Sequence, residues 1–212
     1  MSLTFAILFY LATAILVFGL AFRVRKYIKT PAPLKIPTTP APTTRGGVAF
    51  RMVKELTIFE SLFKSNKWIW LFGWLFHMGM LLVLLRHLRY FTDPVWWWVQ
   101  LIQPFGKYAS ILMLVGLAGL LVRRVVVDRV RYISAPSDYL MLLLIIGIGA
   151  TGALMTFVTN ADIITLKDYL LGLMVFDVRT LRMDPILLVH LSLVFLLMAI
   201  FPISKLLDAP GI

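Results

Sequence analysis

Five apolar runs, each close to the length of a membrane crossing, take up most of this chain. The hydrocarbon core of a bilayer asks for about 20 apolar residues of any helix that spans it. Residues 3–22 carry no charge, and in 68–88, 104–122, 138–159 and 186–205 the charges stay within about a turn of the ends. The chain is 60% hydrophobic, more apolar than ordinary soluble domains. The expected fold is therefore an all-α membrane protein, a bundle of five transmembrane helices forming one domain over 1–212.

A net charge of +11 raises the question of nucleic acid, and the placement of that charge answers it. Fifteen of the 21 Lys and Arg residues fall in alternate loops: ten in 23–67, four in 123–138, and Lys205. Arg86, Arg89, Lys107, Lys167, Arg179 and Arg182 lie on the other side, nearly balanced by Asp93, Asp162, Asp168, Asp177 and Asp184. Membrane proteins keep their basic loops in the cytoplasm, so the N-terminus is expected outside and the C-terminus inside. No nucleic-acid partner is expected; membrane lipids are. The opening MSLTFAILFYLATA lacks the basic start of a secretory signal and reads as an uncleaved anchor. The chain has no cysteine, which rules out a thiolate-held Fe–S cluster, a covalently attached c-type haem and a disulfide.

Between the first two runs, 23–67 divides in two. TPAPLKIPTTPAP favours an extended, polyproline-like strap. In VAFRMVKELTIFESLFKSN, Ala49, Met52, Val53, Leu56, Phe59 and Phe63 recur at helical spacing. That predicts an amphipathic helix on the cytoplasmic surface, lying in lipid or docking a cytoplasmic partner. On the outer side, DPVWWWVQLIQPFGK brings three tryptophans to the interface, as an anchoring belt or as the lining of an apolar ligand site. A second outer segment, 160–185, holds a short amphipathic helix around 166–175.

The three histidines, His77, His87 and His190, all lie on membrane runs. His77 and His87 are ten residues apart on the second run, which is roughly 15 Å along a helix axis and roughly 80° around it. They cannot share one metal. The second and fifth runs are antiparallel, and His190 falls near the outer end of the fifth, close to the depth of His87. Ionisable groups inside a bilayer are costly and usually functional. Two neutral imidazoles at equal depth suit the two faces of an iron porphyrin between helices. The plainer alternative is a hydrogen bond from each histidine to a neighbouring helix. Arg86 and Arg89 flank His87 and are either partners for haem propionates or ordinary boundary charges.

Two histidines ten apart on the second of five helices, followed by one on the fifth, resemble the dihaem cytochrome b (gamma) subunits of respiratory nitrate reductases. KIPTTPAPTTRGGVAFRM, SNKWIWLFGWLFHMGMLLVLLRHLRYF, DPVWWWV, RVRYISAPSDYL and FPISKLL look more closely like the DsrM family, the cytochrome b subunits of the membrane complex linked to dissimilatory sulfite reductase. The resemblance implies b-type haem, one or two per chain, with His87 and His190 on the outer iron and His77 on the inner. The family's second inner ligand is a histidine eighteen residues after the position of His190, where this chain has Asp208. Three arrangements follow: five-coordinate iron on His77, a carboxylate or other group in place of the imidazole, or no inner haem. The resemblance also places a quinone, menaquinone by expectation, beside the outer haem, with Lys107 in PFGKY as its candidate hydrogen-bond donor. Interfacial snorkelling accounts for Lys107 as well.

The expected function is that of a haem b subunit in a bacterial or archaeal cytoplasmic membrane. It carries electrons between the quinone pool and a cytoplasmic Fe–S protein, a DsrK-like subunit by resemblance, in dissimilatory sulfur metabolism. A nitrate reductase-type gamma subunit and a haem-free anchor for soluble subunits are the alternatives. A transporter is disfavoured, because the runs lack the charged or broken midplane such a path needs.

Overall fold

The computed structural model describes residues 1–31, 42 and 44–206, and among them it is helical with no strand. In chain order the helices are α1 (Ser2–Lys29), α2 (Arg45–Ile58), α3 (Glu60–Ser65), α4 (Lys67–His87), α5 (Trp97–Val126), α6 (Asp128–Ile133), α7 (Pro136–Phe157), α8 (Ile163–Met174) and α9 (Pro185–Ile200). Short 3₁₀ turns, Leu88–Tyr90 and Phe201–Ile203, extend α4 and α9. Five helices, α1, α4, α5, α7 and α9, are long and apolar enough to cross a membrane. Most of the proline strap lies outside the described residues.

Local chemistry sets where the spans begin. The Asn66 side chain accepts from the Ile69 N–H (3.0 Å) at the start of α4. Asp184 does the same for Ile186 (2.9 Å) ahead of α9, with Pro185 in the first turn. Both are N-caps that satisfy N–H groups a helix start leaves unpaired. Two spans are longer than the apolar runs predict. α1 continues past 22 to Lys29, where Lys26 and Lys29 sit favourably at the negative end of the helix dipole. α5 starts at Trp97, well ahead of Pro104, so Trp97 and Trp98 are helical. Proline removes one helical hydrogen bond, here the one to the exposed Gln100 carbonyl. The turn before it is held by Gln100 N–H to Trp96 O (3.1 Å) and by the Gln103 side chain to Val99 O (3.2 Å). The last span is shorter than expected: the α-helix stops at Ile200, and Pro202 closes it as a 3₁₀ turn.

The spans pack as an open row in which α4 lies on α5, α5 on α7, α7 on α9 and α9 on α1. The α4–α5 seam is the closest. A Cβ at Gly79 would lie 2.8 Å from the Ala109 carbonyl oxygen, and one at Gly116 would lie 2.6 Å from the Phe76 nitrogen. Only glycine lets two backbones approach this far, the usual device of helices that pack without a hydrophobic drive. No comparable packing joins α4 to α9.

Each end of the row is closed differently. α8, close to the helix expected at 166–175, buries Leu166, Tyr169, Leu170 and Leu173 against Ala6 of α1 and Leu187 of α9. Tyr90 and Phe91, just beyond α4, pack on the same cluster. Tyr169 Oη donates to the Ser2 carbonyl (2.9 Å), and Tyr10 Oη donates to the Leu173 carbonyl (2.8 Å). α8 is thus a roof across α1, α4 and α9. At the opposite, basic end, Asp138 accepts from Lys205 (3.0 Å) and lies 3.4 Å from Arg124, tying α5, α7 and the chain after α9 together.

The amphipathic helix expected as one piece is broken at Phe59 into α2 and α3. Phe59 is left-handed (φ 50°, ψ 53°). The break frees the carbonyls of Thr57 and Ile58, which accept the indole N–H groups of Trp74 (3.2 Å) and Trp70 (2.7 Å) on α4. The segment therefore folds back on the His77 half of α4.

Candidate functional site

All three imidazoles are held through the same nitrogen. His87, the last residue of α4, places Nδ1 2.6 Å from the Val83 carbonyl, and His77 places Nδ1 2.7 Å from the Gly73 carbonyl. A carbonyl oxygen only accepts, so Nδ1 carries the proton in each. His190 reaches across to α7, where its Nδ1 is 2.9 Å from Thr151 Oγ1. The single Thr151 proton is engaged by the Gly147 carbonyl (2.8 Å), which leaves a lone pair for the His190 N–H. Each Nε2 is then the bare nitrogen, and none has a hydrogen-bond partner among the described residues. Fixing the tautomer through the far nitrogen is what proteins do to imidazoles that ligate metals.

His87 and His190 stand on α4 and α9, which do not pack together. Gly152 makes room for the second ring: a Cβ there would stand 3.3 Å from His190 Cε1. The Tyr90 ring, at the edge of the α8 cluster, is 5.7 Å from the His87 ring. The arrangement is two imidazoles, each with one bare nitrogen, on two separated helices, with Tyr90 joining His87 to the α8 cluster. Among the described residues no three His, Asp or Glu side chains converge as a metal cage. Two imidazoles suit a metal that brings its own equatorial ligands, so the residues present fit a haem iron.

Arg86 and Arg89 share an acceptor that the sequence did not single out. Arg86 Nε (3.3 Å) and Arg89 Nη1 (2.9 Å) both donate to Gln103 Oε1 on α5. Gln103 Nε2 in turn donates to the Arg86 carbonyl (3.4 Å) and the Val99 carbonyl (3.2 Å). An amide just ahead of the third apolar run was the available signal. Arg89 also lines an open cavity of about 410 Å³ beneath α8, with Asp93, Val95, Ile164, Lys167 and Leu171.

Lys107 stands at the depth of Arg86, since a Cβ on neighbouring Gly106 would touch Arg86 Cβ at 2.8 Å. Its ammonium lies over the Phe157 ring (5.3 Å), toward α7. The structure does not bring it into contact with His87 or His190.

His77 is exposed on the flank of α4. Phe76 (4.5 Å between ring centroids) and Phe59 (5.1 Å) both stand edge-on to its ring. Asp208 lies outside the described residues. Leu206, close before it, packs against the cluster of Phe76, Met113, Leu117 and Ile145, next to His77 in the chain.

The sequence profile of the nitrate reductase gamma subunit matches residues 54–210. The Hdr-like menaquinol oxidoreductase cytochrome b-like subunit of Archaeoglobus fulgidus is 33% identical, across 96% of this chain and 75% of that protein. The protein of the same description from Archaeoglobus profundus is 28% identical, across 96% of this chain and 74% of its own length. With five membrane-length helices and a profile match that takes in four of them, the chain belongs to the nitrate reductase gamma subunit family of multi-pass membrane proteins.

Proposed function

We propose that this chain is a haem b subunit that carries electrons between the quinone pool and a cytoplasmic Fe–S partner of the DsrK-like kind, in dissimilatory sulfur metabolism. The observation that carries the proposal is the tautomer lock on His87 and His190. Each is fixed through Nδ1, which leaves Nε2 bare, and the two stand on helices that do not pack together. Haem bound there supplies a one-electron iron couple. The chain's own part is to hold two neutral imidazoles at one depth, to exclude water with α8, and to offer Arg86 and Arg89 as charge partners for propionates. His77 would hold a second, inner haem, with Asp208 as the candidate for its other protein ligand. Menaquinone is the proposed quinone, supported by the description of the Archaeoglobus relatives, and Lys107 is its candidate hydrogen-bond donor.

Residues 1–212 act as one membrane unit in a bacterial or archaeal cytoplasmic membrane, with the N-terminus outside and the basic end in the cytoplasm. The lysines and arginines of 23–67 and 123–138 support that orientation.

Reduced-minus-oxidised visible spectra with haem quantification test the reading. The purified subunit is expected to show a b-type α-band that His87→Ala and His190→Ala each diminish by the same component. Absence of any α-band would leave a haem-free anchor in its place.

A further inference from the structure

Phe59 is one of three non-glycine residues with left-handed backbone among the described residues. An L side chain stays in that region only where its surroundings hold it. On one side the Trp70 and Trp74 indoles grip the two preceding carbonyls. On the other, Glu55 accepts from the Ser61 N–H (3.2 Å) and hydroxyl (2.6 Å). The product of this turn is a phenyl ring set edge-on against His77. A helix continuing through 59 would lack that turn, and nothing else in α2 or α3 makes a ring contact with His77.

From this geometry we infer that Phe59 is a positioning residue for the inner site, clamped by Trp70 and Trp74 so that it fixes the plane of the His77 imidazole and sets an apolar ring against it. The inference rests on the reading of His77 as a haem ligand. An imidazole bonded through one nitrogen still swings about its Cα–Cβ and Cβ–Cγ bonds. Phe76 and Phe59, both edge-on to the ring, restrict that swing. An apolar cover also disfavours the more charged, ferric form of a bound iron, and burial is one of the levers that set haem potentials.

Redox titration of the full chain in detergent, followed in the visible α-band and by low-spin EPR, tests this. The inner component is defined as the one lost in His77→Ala. Phe59→Gly keeps the turn, because glycine takes positive φ without strain, and removes only the ring. A residue that merely turned the chain would be replaced by glycine without consequence. The expected result is an inner component displaced to lower potential with a broadened EPR signal, an outer component unchanged, and recovery in Phe59→Tyr. Trp74→Phe, which loosens the same turn from α4, is expected to displace the inner component in the same direction. Two components that neither Phe59→Gly nor Trp74→Phe moves would overturn the inference and leave the inner haem standing. A wild-type chain with one component that survives His77→Ala would overturn the inner haem, and the inference with it.

Discussion

The Thr151 hydroxyl on α7 accepts the Nδ1–H of His190 on α9 at 2.9 Å, while its own proton is engaged by the Gly147 carbonyl at 2.8 Å. One hydroxyl on a third helix thus decides which nitrogen of His190 is bare. His87 and His77 need no such help, because each bonds the carbonyl four residues back on its own helix. The two imidazoles are therefore held unequally: His87 is oriented by its own backbone, His190 by a side chain that can be exchanged.

Thr151→Val keeps the shape and removes the acceptor. His190 then loses its orienting partner, and loss of such a partner typically weakens metal affinity about 10- to 100-fold. Transfer of haem to apomyoglobin should be faster from Thr151→Val than from wild type, with Thr151→Ser close to wild type. Equal transfer from all three would mean that Thr151 only packs.

Gln103→Leu leaves both Arg86 and Arg89 without the amide oxygen they share. Hydrogen bonds to charged groups contribute about 1.5–3 kcal/mol, and the boundary position of these arginines gives water partial access, so a loss toward the lower end is expected. Thermal unfolding in detergent should report it as a lower melting temperature. An unchanged melting temperature would show that water satisfies both guanidiniums.

Much of this architecture was open to a reading of the chain alone, and the parts that were not share a cause. Rise per residue and antiparallel crossings are the same for every membrane helix, so the depths of His87 and His190 follow from counting. Thr151 and Gln103 could not be found that way. A hydroxyl in a span ordinarily bonds its own helix, and only the packing of α7 on α9 brings it to an imidazole. The break at Phe59 was equally hidden, because phenylalanine has no local preference for positive φ and the tryptophans that hold it there come later in the chain. α5 begins at Trp97, ahead of the run at 104–122, because one missing hydrogen bond near a helix end is tolerated. The function of 160–185 as a roof rests on contacts with α1, α4 and α9, which no local pattern encodes.

The roof should respond to acid. Asp162 caps α8, and its carboxyl is held below the ordinary carboxylate range, first by the Thr165 hydroxyl, then by the Thr165 N–H, with Arg182 and the Ile164 N–H adding to it. A depressed folded-state value means that the stabilisation is complete above the unfolded value of ~4 and is lost as pH falls through the lower folded value. Wild type and Asp162→Asn should therefore differ in protease resistance of the 160–185 segment at neutral pH and converge as pH falls through the lowered folded-state value. A difference that persists in strong acid would count against the cap as its source.

The α4–α5 seam links the depths of His77 and His87 mechanically. A methyl group at position 116 would lie 2.6 Å from the Phe76 nitrogen and 2.7 Å from the Phe72 carbonyl oxygen, backbone atoms that move only if α4 moves. α4 carries both His77 and His87, so Gly116→Ala should disturb both sites at once. Overpacking of this kind costs about 1–3 kcal/mol, and the variant should show a lower melting temperature together with reduced haem content in both spectral components. Gly46→Ala is the control, since a Cβ there meets nothing within 4 Å; it should leave both readings at wild-type values. A Gly116→Ala protein as stable as wild type and fully loaded would mean that α4 and α5 can part without disturbing either histidine.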